Sequence, residues 1–274
     1  MIDPFRSPRA VLFVPGDRTD RHAKAFRSGA EAVILDLEDA VGPEDKEVAR
    51  AALSATLPRR GSGAAWIRIN SPLSETGQAD LEAVIALEPD AIVVPKAEPE
   101  SVAIAAETKL PLVALVETAA GVLSAERTAA DPAVAALMLG PVDLGLELGV
   151  VDSPDGDELL AARGKLVLVA AAAGKPGPID GPCLAIAEVE ALQAEATRAR
   201  RLGFTGKACI HPGQVSTVRD TFAVGPDELR WARRVASSSE VGDGVTVLDG
   251  RMVDPPVVAR AQRILQQYDS EEIG

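Results

Sequence analysis

Aromatic side chains are scarce in this chain: two Trp, one Tyr and five Phe make up 3% of its 274 residues. A core with so few rings has to be assembled from Ala, Val, Leu and Ile, which bring the hydrophobic fraction to 47%. Such residues suit the interior of a parallel barrel or a doubly wound sheet. Cysteine is nearly absent. Cys183 and Cys209 lack metal-ligand spacing and read as small reduced thiols, with no disulfide framework between them. No apolar stretch reaches the ~18 residues of a membrane span, and Met1 to Arg6 contain no apolar signal core. A cytoplasmic protein is therefore expected. Positive charge is in deficit as well. A net charge of −13 without a basic stripe or tail excludes a general nucleic-acid or anionic-membrane surface. An anionic small ligand would need a local cluster of cations or a metal.

What the chain does contain is a recurring unit, most visible at Ala32-Val33-Ile34-Leu35-Asp36-Leu37-Glu38-Asp39-Ala40. A near-continuous apolar run is what a strand buried on both faces requires. Acid placed abruptly at its end is costly unless it faces water or a cation. Similar runs are predicted at Ala10 to Val14, Ala32 to Leu37, Ala65 to Asn70, Ala91 to Lys96, Leu112 to Val116, Val134 to Leu139, Pro176 to Asp180 and Gly206 to Ile210. The seventh is a poor strand by propensity but correctly spaced. Helices are predicted between them, among them Thr19 to Ser28, Thr76 to Leu87, Glu98 to Thr108, Asp157 to Ala173 and Glu188 to Leu202.

Eight alternations within residues 1–222 argue for a (β/α)₈ barrel, a fold of typically ~250 residues. A doubly wound sheet is disfavoured by the count and by the lack of a Gly-x-Gly-x-x-Gly turn. Residues 223–274 follow a different pattern: a helix from Pro226 to Ser237, a hairpin signal at Val245 to Val253 around Asp249-Gly250, and a last helix from Asp254 to near Tyr268. This extension is too short for an independent domain, and is expected to pack on the barrel or on a neighbouring subunit.

In a barrel the residues just past each strand converge on one face. Here they are Asp17/Arg18, Glu38/Asp39, Arg68/Asn70, Lys96, Glu117, Asp143, Asp180 and His211. Glu117 and Asp143 end consecutive strands with little charge beside them. Two hard oxygen ligands completed by waters and substrate are what Mg²⁺ takes; helix capping or pairing with arginine is the plainer alternative. Arg68, on the alternating Ile67-Arg68-Ile69, should point into the barrel mouth, where its fork suits a carboxylate or an ion pair with Glu38 or Asp39. Lys96 could be a Schiff-base lysine if its pKa were depressed. His211 reads either as an acid/base group or as a hydrogen-bonded structural residue.

Leu12 to Arg18, Ile34 to Val41, Arg68-Ile69-Asn70, Pro95 to Glu98, Val116 to Ala119, Lys207 to Pro212 and Leu248 to Asp254 together resemble, in this order, the citrate lyase β-subunit-like family, which includes malyl-CoA, citramalyl-CoA and citryl-CoA lyases. The resemblance covers nearly the whole chain. It implies a Mg²⁺-dependent lyase (Mn²⁺ being the alternative ion) acting on a CoA thioester, assembled as a homotrimer or a pair of trimers. Carried over, Glu117 and Asp143 match the metal ligands and Arg68 the clamp on the substrate carboxylate. Glu38 and Asp39 match acidic residues that order the metal's waters and Arg68, whereas Asp36 is expected to be structural. Gly140 and Pro141 line the substrate, and Asp254 matches a lid acid/base that reaches a neighbouring subunit's site. Arg18 and Arg21 are the candidate CoA-phosphate contacts, with Arg9 a weaker one. One departure stands out. Gly140-Pro141-Val142-Asp143-Leu144 replaces the usual Gly-x-Glu-Asp-Leu and is similar to the pyruvate-dependent class II aldolases. An aldolase on free hydroxy-oxo acids, or a β-subunit within a citrate lyase complex, are the rival expectations.

Overall fold

The computed structural model describes residues 8–57, 63–151, 153, 155–239 and 246–273. Its apolar runs become strands of a closed barrel, because each is covered by the interior on one side and by helices on the other. In chain order the elements are β1 (Ala10–Pro15), α1 (Thr19–Phe26), β2 (Ala32–Asp36), α2 (Lys46–Thr56), β3 (Ala64–Arg68), α3 (Glu75–Leu87), β4 (Ala91–Val94) and α4 (Pro99–Ala106). They continue with β5 (Leu112–Val116), α5 (Ala119–Ala130), β6 (Val134–Leu139), α6 (Pro141–Leu148), α7 (Leu160–Ala172), β7 (Ile179–Asp180), α8 (Val189–Leu202), β8 (Gly206–Cys209) and α9 (Val215–Phe222). The eight strands pair in parallel and in sequence order, and β1 closes onto β8. This is the (β/α)₈ barrel expected from the pattern, and closure rules out the doubly wound sheet.

Strand alternation separates two cores. Val11, Ile34, Trp66, Val93, Val113, Leu115, Met138 and Ile179 fill the barrel. Leu12, Val33, Leu35, Ile67, Ile92, Leu112 and Leu137 face the helices. Trp66, fully buried, is the large side chain that plugs an interior otherwise built from aliphatics.

Three details depart from the pattern reading. The segment after Leu148 begins as a 3₁₀ turn, Asp157–Leu159, before α7, so that helix starts later than expected. The short helix α9 repeats Val215, Val218 and Phe222 at helical spacing, whereas α6 buries only Leu144 and Gly145. α6 is set instead by its ends, Pro141 in the first turn and Gly149 in the left-handed conformation after the last. β7 shrinks to two residues, with one register pair to β6 and two to β8.

The chain divides into two compact units, one running to Phe222 and the other beginning at Ala223. The second holds α10 (Pro226–Ser239), the antiparallel pair β9 (Thr246–Leu248) and β10 (Arg251–Val253), and α11 (Pro255–Ile273). The hairpin turn has positive φ at both Asp249 (52°) and Gly250 (74°), the geometry that Asp-Gly favours. Val245, included in the expected hairpin, lies outside the described residues. Leu229, Ala232, Val235, Val253, Ala261 and Ile264 form this unit's own core, and Arg260 stacks on Trp231. No helix among the described residues is long and apolar enough to cross a membrane.

Candidate active site

Asp36 and Arg68 are register partners on β2 and β3, and alternation turns both into the barrel above Ile34 and Trp66. The guanidinium is gripped twice by one carboxylate, Nε to Asp36 Oδ1 at 2.7 Å and Nη2 to Oδ2 at 2.6 Å. Its Nη1 lies 3.0 Å from Glu38 Oε2 and 3.5 Å from Asp39 Oδ2, and its face covers Phe13 at 5.1 Å. These anions more than offset burial and hold the Arg68 pKa above its ordinary value. Asp36 also accepts the backbone N–H of Glu38 and Ala40, so it builds the turn that carries the other acids. Glu38 and Asp39 do reach Arg68, as expected, but the expectation that Asp36 is merely structural is corrected. Asp36 is the main clamp, Glu38 the second, and Asp39, 61% exposed, a distant third. The alternation carries on past the strand end: Leu37 turns to the helix layer and Glu38 turns inward.

The turn is fixed from behind by Lys46, whose ammonium donates to Leu37 O (2.7 Å), Glu38 O (2.7 Å) and Asn70 Oδ1 (2.8 Å). Asn70 in turn donates to Leu37 O and to Asp80, which also holds Arg50. Lys46 and Asp80 carry no signal in sequence, because each acts through backbone or a remote partner. A cleft of about 450 Å³ lined by Glu38, Asp39, Lys46, Asn70, Ser71 and Ser74 opens beside the turn.

Across the mouth, Glu117 directly follows β5 and is 3% exposed. Its Oε1 accepts the Lys96 N–H at 2.9 Å. Burial, then the nearby Glu38 and Asp143, push its carboxyl up to about 8, against the pull of that N–H. Gly140 comes so close that a Cβ there would sit 2.6 Å from Glu117 Oε2. A side chain is therefore excluded beside that oxygen. Asp143, in the first turn of α6, is half-buried and accepts no hydrogen bond from the described residues. One helical turn on, Glu147 Oε2 accepts the Ala119 N–H at 2.9 Å, tying α6 to the start of α5.

Not every expected residue joins this cluster. Lys96 does, but its ammonium is paired with Glu38 at 3.0 Å, which outweighs burial and raises its pKa. A Schiff-base lysine needs the reverse. Asp180 faces outward and is fully buried against Lys207 and Arg163, so it is not a mouth residue. His211 caps a 3₁₀ turn, its Nδ1 accepting the Gly213 N–H. Cys209 is buried and its thiol pushed up to about 12. Arg18 and Arg21 are exposed just past β1, Arg18 holding Asp20 at 2.9 Å. Arg9 precedes β1, at the opposite end of the barrel, bound to Glu31. Asp254 belongs to the second unit, where its Oδ1 caps α11 by accepting the Val257 N–H.

The set fits a small hard cation. Glu117 resists ionisation without one, Asp143 has no donor among the described residues, and Gly140 leaves the space open. Among the described residues no group of three or more His, Cys, Asp or Glu is arranged as a complete ligand set. Two carboxylates with waters or substrate filling the remaining positions is the coordination Mg²⁺ accepts.

Residues 9–212 match the family described as HpcH/HpaI aldolase/citrate lyase, and residues 169–269 match a C–C bond lyase family of the TIM-barrel fold. The chain is 38% identical over 277 residues to a (3S)-malyl-CoA thioesterase of Cereibacter sphaeroides, covering 97% of this chain and 95% of the relative. It is 30% identical to the mitochondrial citramalyl-CoA lyase of Rattus norvegicus, with 94% and 85% covered. Among solved structures it superposes with a TM-score of 0.86 on protein CitE of Mycobacterium tuberculosis in complex with magnesium, acetoacetate and coenzyme A, at 36% identity with 96% and 99% covered.

Proposed function

The chain belongs to the HpcH/HpaI aldolase/citrate lyase family, and from that premise we propose that it is a Mg²⁺-dependent carbon–carbon lyase. It cleaves, or in reverse condenses, a 3-hydroxyacyl-CoA such as malyl-CoA or citramalyl-CoA, giving acetyl-CoA and a 2-oxo acid. The observation that carries this reading is the Glu117/Asp143 pair facing the clamped Arg68. Glu117 and Asp143 would hold the Mg²⁺, which would supply Lewis-acid polarisation of the substrate's oxygen. Arg68 binds the acid's carboxylate through Nη1, which lies against Glu38 and Asp39 rather than Asp36 and would share its donors with the substrate. Asp36 and Glu38 keep that fork aimed. Gly140 and Pro141 flank the substrate, with no side chain at Gly140 to obstruct it. Breaking the bond turns the alcohol into the 2-oxo acid's carbonyl, with its hydroxyl proton passing to solvent, and leaves a thioester enolate on whose carbon Asp254 would put a proton. Arg18 and Arg21 meet the CoA phosphates.

Asp254 works in this scheme as a lid residue delivered to a neighbouring subunit of a homotrimer or hexamer in the cytoplasm. Val142 (47% exposed) and Leu146 (83% exposed), one turn apart on α6, support an assembled state. Mixing inactive Asp254→Ala with inactive Arg68→Ala subunits should restore activity if the lid is exchanged.

A second reading is favoured by the thioesterase relative: hydrolysis of the same kind of thioester. One assay separates the two. Purified protein with Mg²⁺ is given a panel of 3-hydroxyacyl-CoA thioesters, with and without EDTA. Acetyl-CoA plus a 2-oxo acid marks the lyase; free CoA thiol plus the intact hydroxy acid marks the hydrolase. Activity on free hydroxy-oxo acids that is indifferent to Asp254→Ala would mark the aldolase instead. Turnover only after addition of an acyl carrier protein would mark the complex subunit.

A further inference from the structure

Four non-glycine residues among those described have positive φ. Glu88 and Lys109 follow helices and Asp249 sits in the hairpin turn, all places where left-handed backbone is routine. Lys96, at φ 45°, is at none of these. It stands between β4 and α4, in the mouth itself. A non-glycine residue is held there against its own preference only when its surroundings fix it from more than one side.

Three bonds do so. The Lys96 N–H donates to Glu117 Oε1 at 2.9 Å. The ammonium reaches back to Glu38 Oε1 at 3.0 Å. The next N–H, of Ala97, returns to the barrel at Leu115 O, 2.9 Å away on the strand that carries Glu117. Glu117 is left with Oε2 unbonded by any described residue. A right-handed or extended Lys96 could not keep its own N–H on Glu117 and the Ala97 N–H on Leu115 O at once, because φ swings one peptide against the other; if the Ala97 bond holds, Glu117 loses its donor.

We propose that Lys96 is a positioning residue: its left-handed backbone makes a two-ended strap between Glu38 and Glu117, and that backbone conformation sets the cation affinity of Glu117. The inference rests on the metal reading above. It assigns the side chain the job of an anchor, with the peptide N–H as the working end.

Lys96→Gly, Lys96→Asn and Lys96→Val all remove the same charge and differ in tolerance of positive φ. Mn²⁺ binding is measured for each by electron paramagnetic resonance and calorimetry, without substrate. Gly and Asn accept left-handed backbone, so their dissociation constants should stay within about threefold of each other, while Val, β-branched, should bind about tenfold more weakly. Lys96→Met, unbranched, stands in if the valine variant does not fold, and should fall between. Equal affinity across the series, or Gly and Asn as weak as Val, overturns the strap while leaving the metal site intact. Failure of the wild type to take up Mn²⁺ overturns both.

Discussion

Two clusters of buried charge lie in the same barrel and are balanced in opposite ways. Behind β7 and β8, Asp180 and Glu195 meet Arg163 and Lys207 one for one, at 2.9–3.2 Å. At the mouth, five carboxylates (Asp36, Glu38, Glu117, Asp143 and the more exposed Asp39) have Arg68 and Lys96 as their cationic side-chain partners among the described residues. The consequence is visible in their acidity. Burial alone would raise Asp180, yet Lys207 and Arg163 bring it below its ordinary value. Burial raises Glu117 to about 8 and Glu38 upward, and the cations at hand do not compensate. A satisfied cluster holds the fold together. An overdrawn one is waiting for positive charge from outside.

The sharpest way to break this contrast is to remove a cation from the satisfied cluster. Lys207 is 1% exposed and bridges Asp180, Glu195 and Gly181 O, while β7 offers only two residues of ladder. Lys207→Met should cost about 3–5 kcal/mol in urea unfolding, the usual cost of leaving one buried partner alone. Mn²⁺ affinity of the protein that remains folded should not change. The converse substitution is at the mouth. Glu117→Gln removes an anion from a site with too many, so unfolding stability should hold or rise. Mn²⁺ affinity should fall by about 100-fold, at least the scale of losing a partner to the metal site. A Glu117→Gln protein that unfolds as readily as Lys207→Met would erase the distinction.

pH separates the two clusters by sign. Glu117 binds its proton more tightly folded (about 8) than at its ordinary 4.5, so the native state holds more protons than the unfolded state between those values. Its contribution is full below pH 4.5 and is lost as pH rises through about 8. Asp180 is shifted the other way; its contribution is present above 3.8 and is lost as pH falls through its depressed native value. In EDTA the unfolding free energy should therefore decline between pH 5 and 8, by at most about 1.4 kcal/mol per unit. Saturating Mg²⁺ should abolish the decline, since cation binding demands the ionised form. Persistence of the decline with Mg²⁺ present would remove Glu117 from the metal site.

The same contrast explains what could be read in advance. The barrel was legible, because strands buried on both faces leave long apolar runs and Asp-Gly fixes a hairpin. Glu117 and Asp143 were legible as isolated acids at strand ends. The role of Asp36 is not legible: counting alternation within Asp36-Leu37-Glu38-Asp39 shows which residues share a side, but its grip on Arg68 depends on the register between β2 and β3. Asp180 was misplaced for a related reason. In a two-residue strand, a one-position difference decides between mouth and helix layer. Lys46 was invisible, since its partners are mostly backbone oxygens. The left-handed turn at Lys96 was equally hidden, a conformation its residue type argues against.

The smallest expected effect probes how the mouth keeps its spacing. Glu147 lies one turn beyond Asp143 on α6, and its Oε2 takes the Ala119 N–H at 2.9 Å, two residues past Glu117. This bond satisfies one of the first N–H groups of α5 and ties together the helices that follow Glu117 and Asp143. Its charge also lies near the site, so it has two routes to the same cation. Glutamine keeps the acceptor and drops the charge; alanine drops both. If spacing is what matters, Glu147→Gln should match wild type in Mn²⁺ affinity while Glu147→Ala weakens it about threefold, the scale of one exposed helix-end bond. If the two variants weaken binding equally, Glu147 acts through its charge and belongs to the overdrawn cluster as a sixth carboxylate.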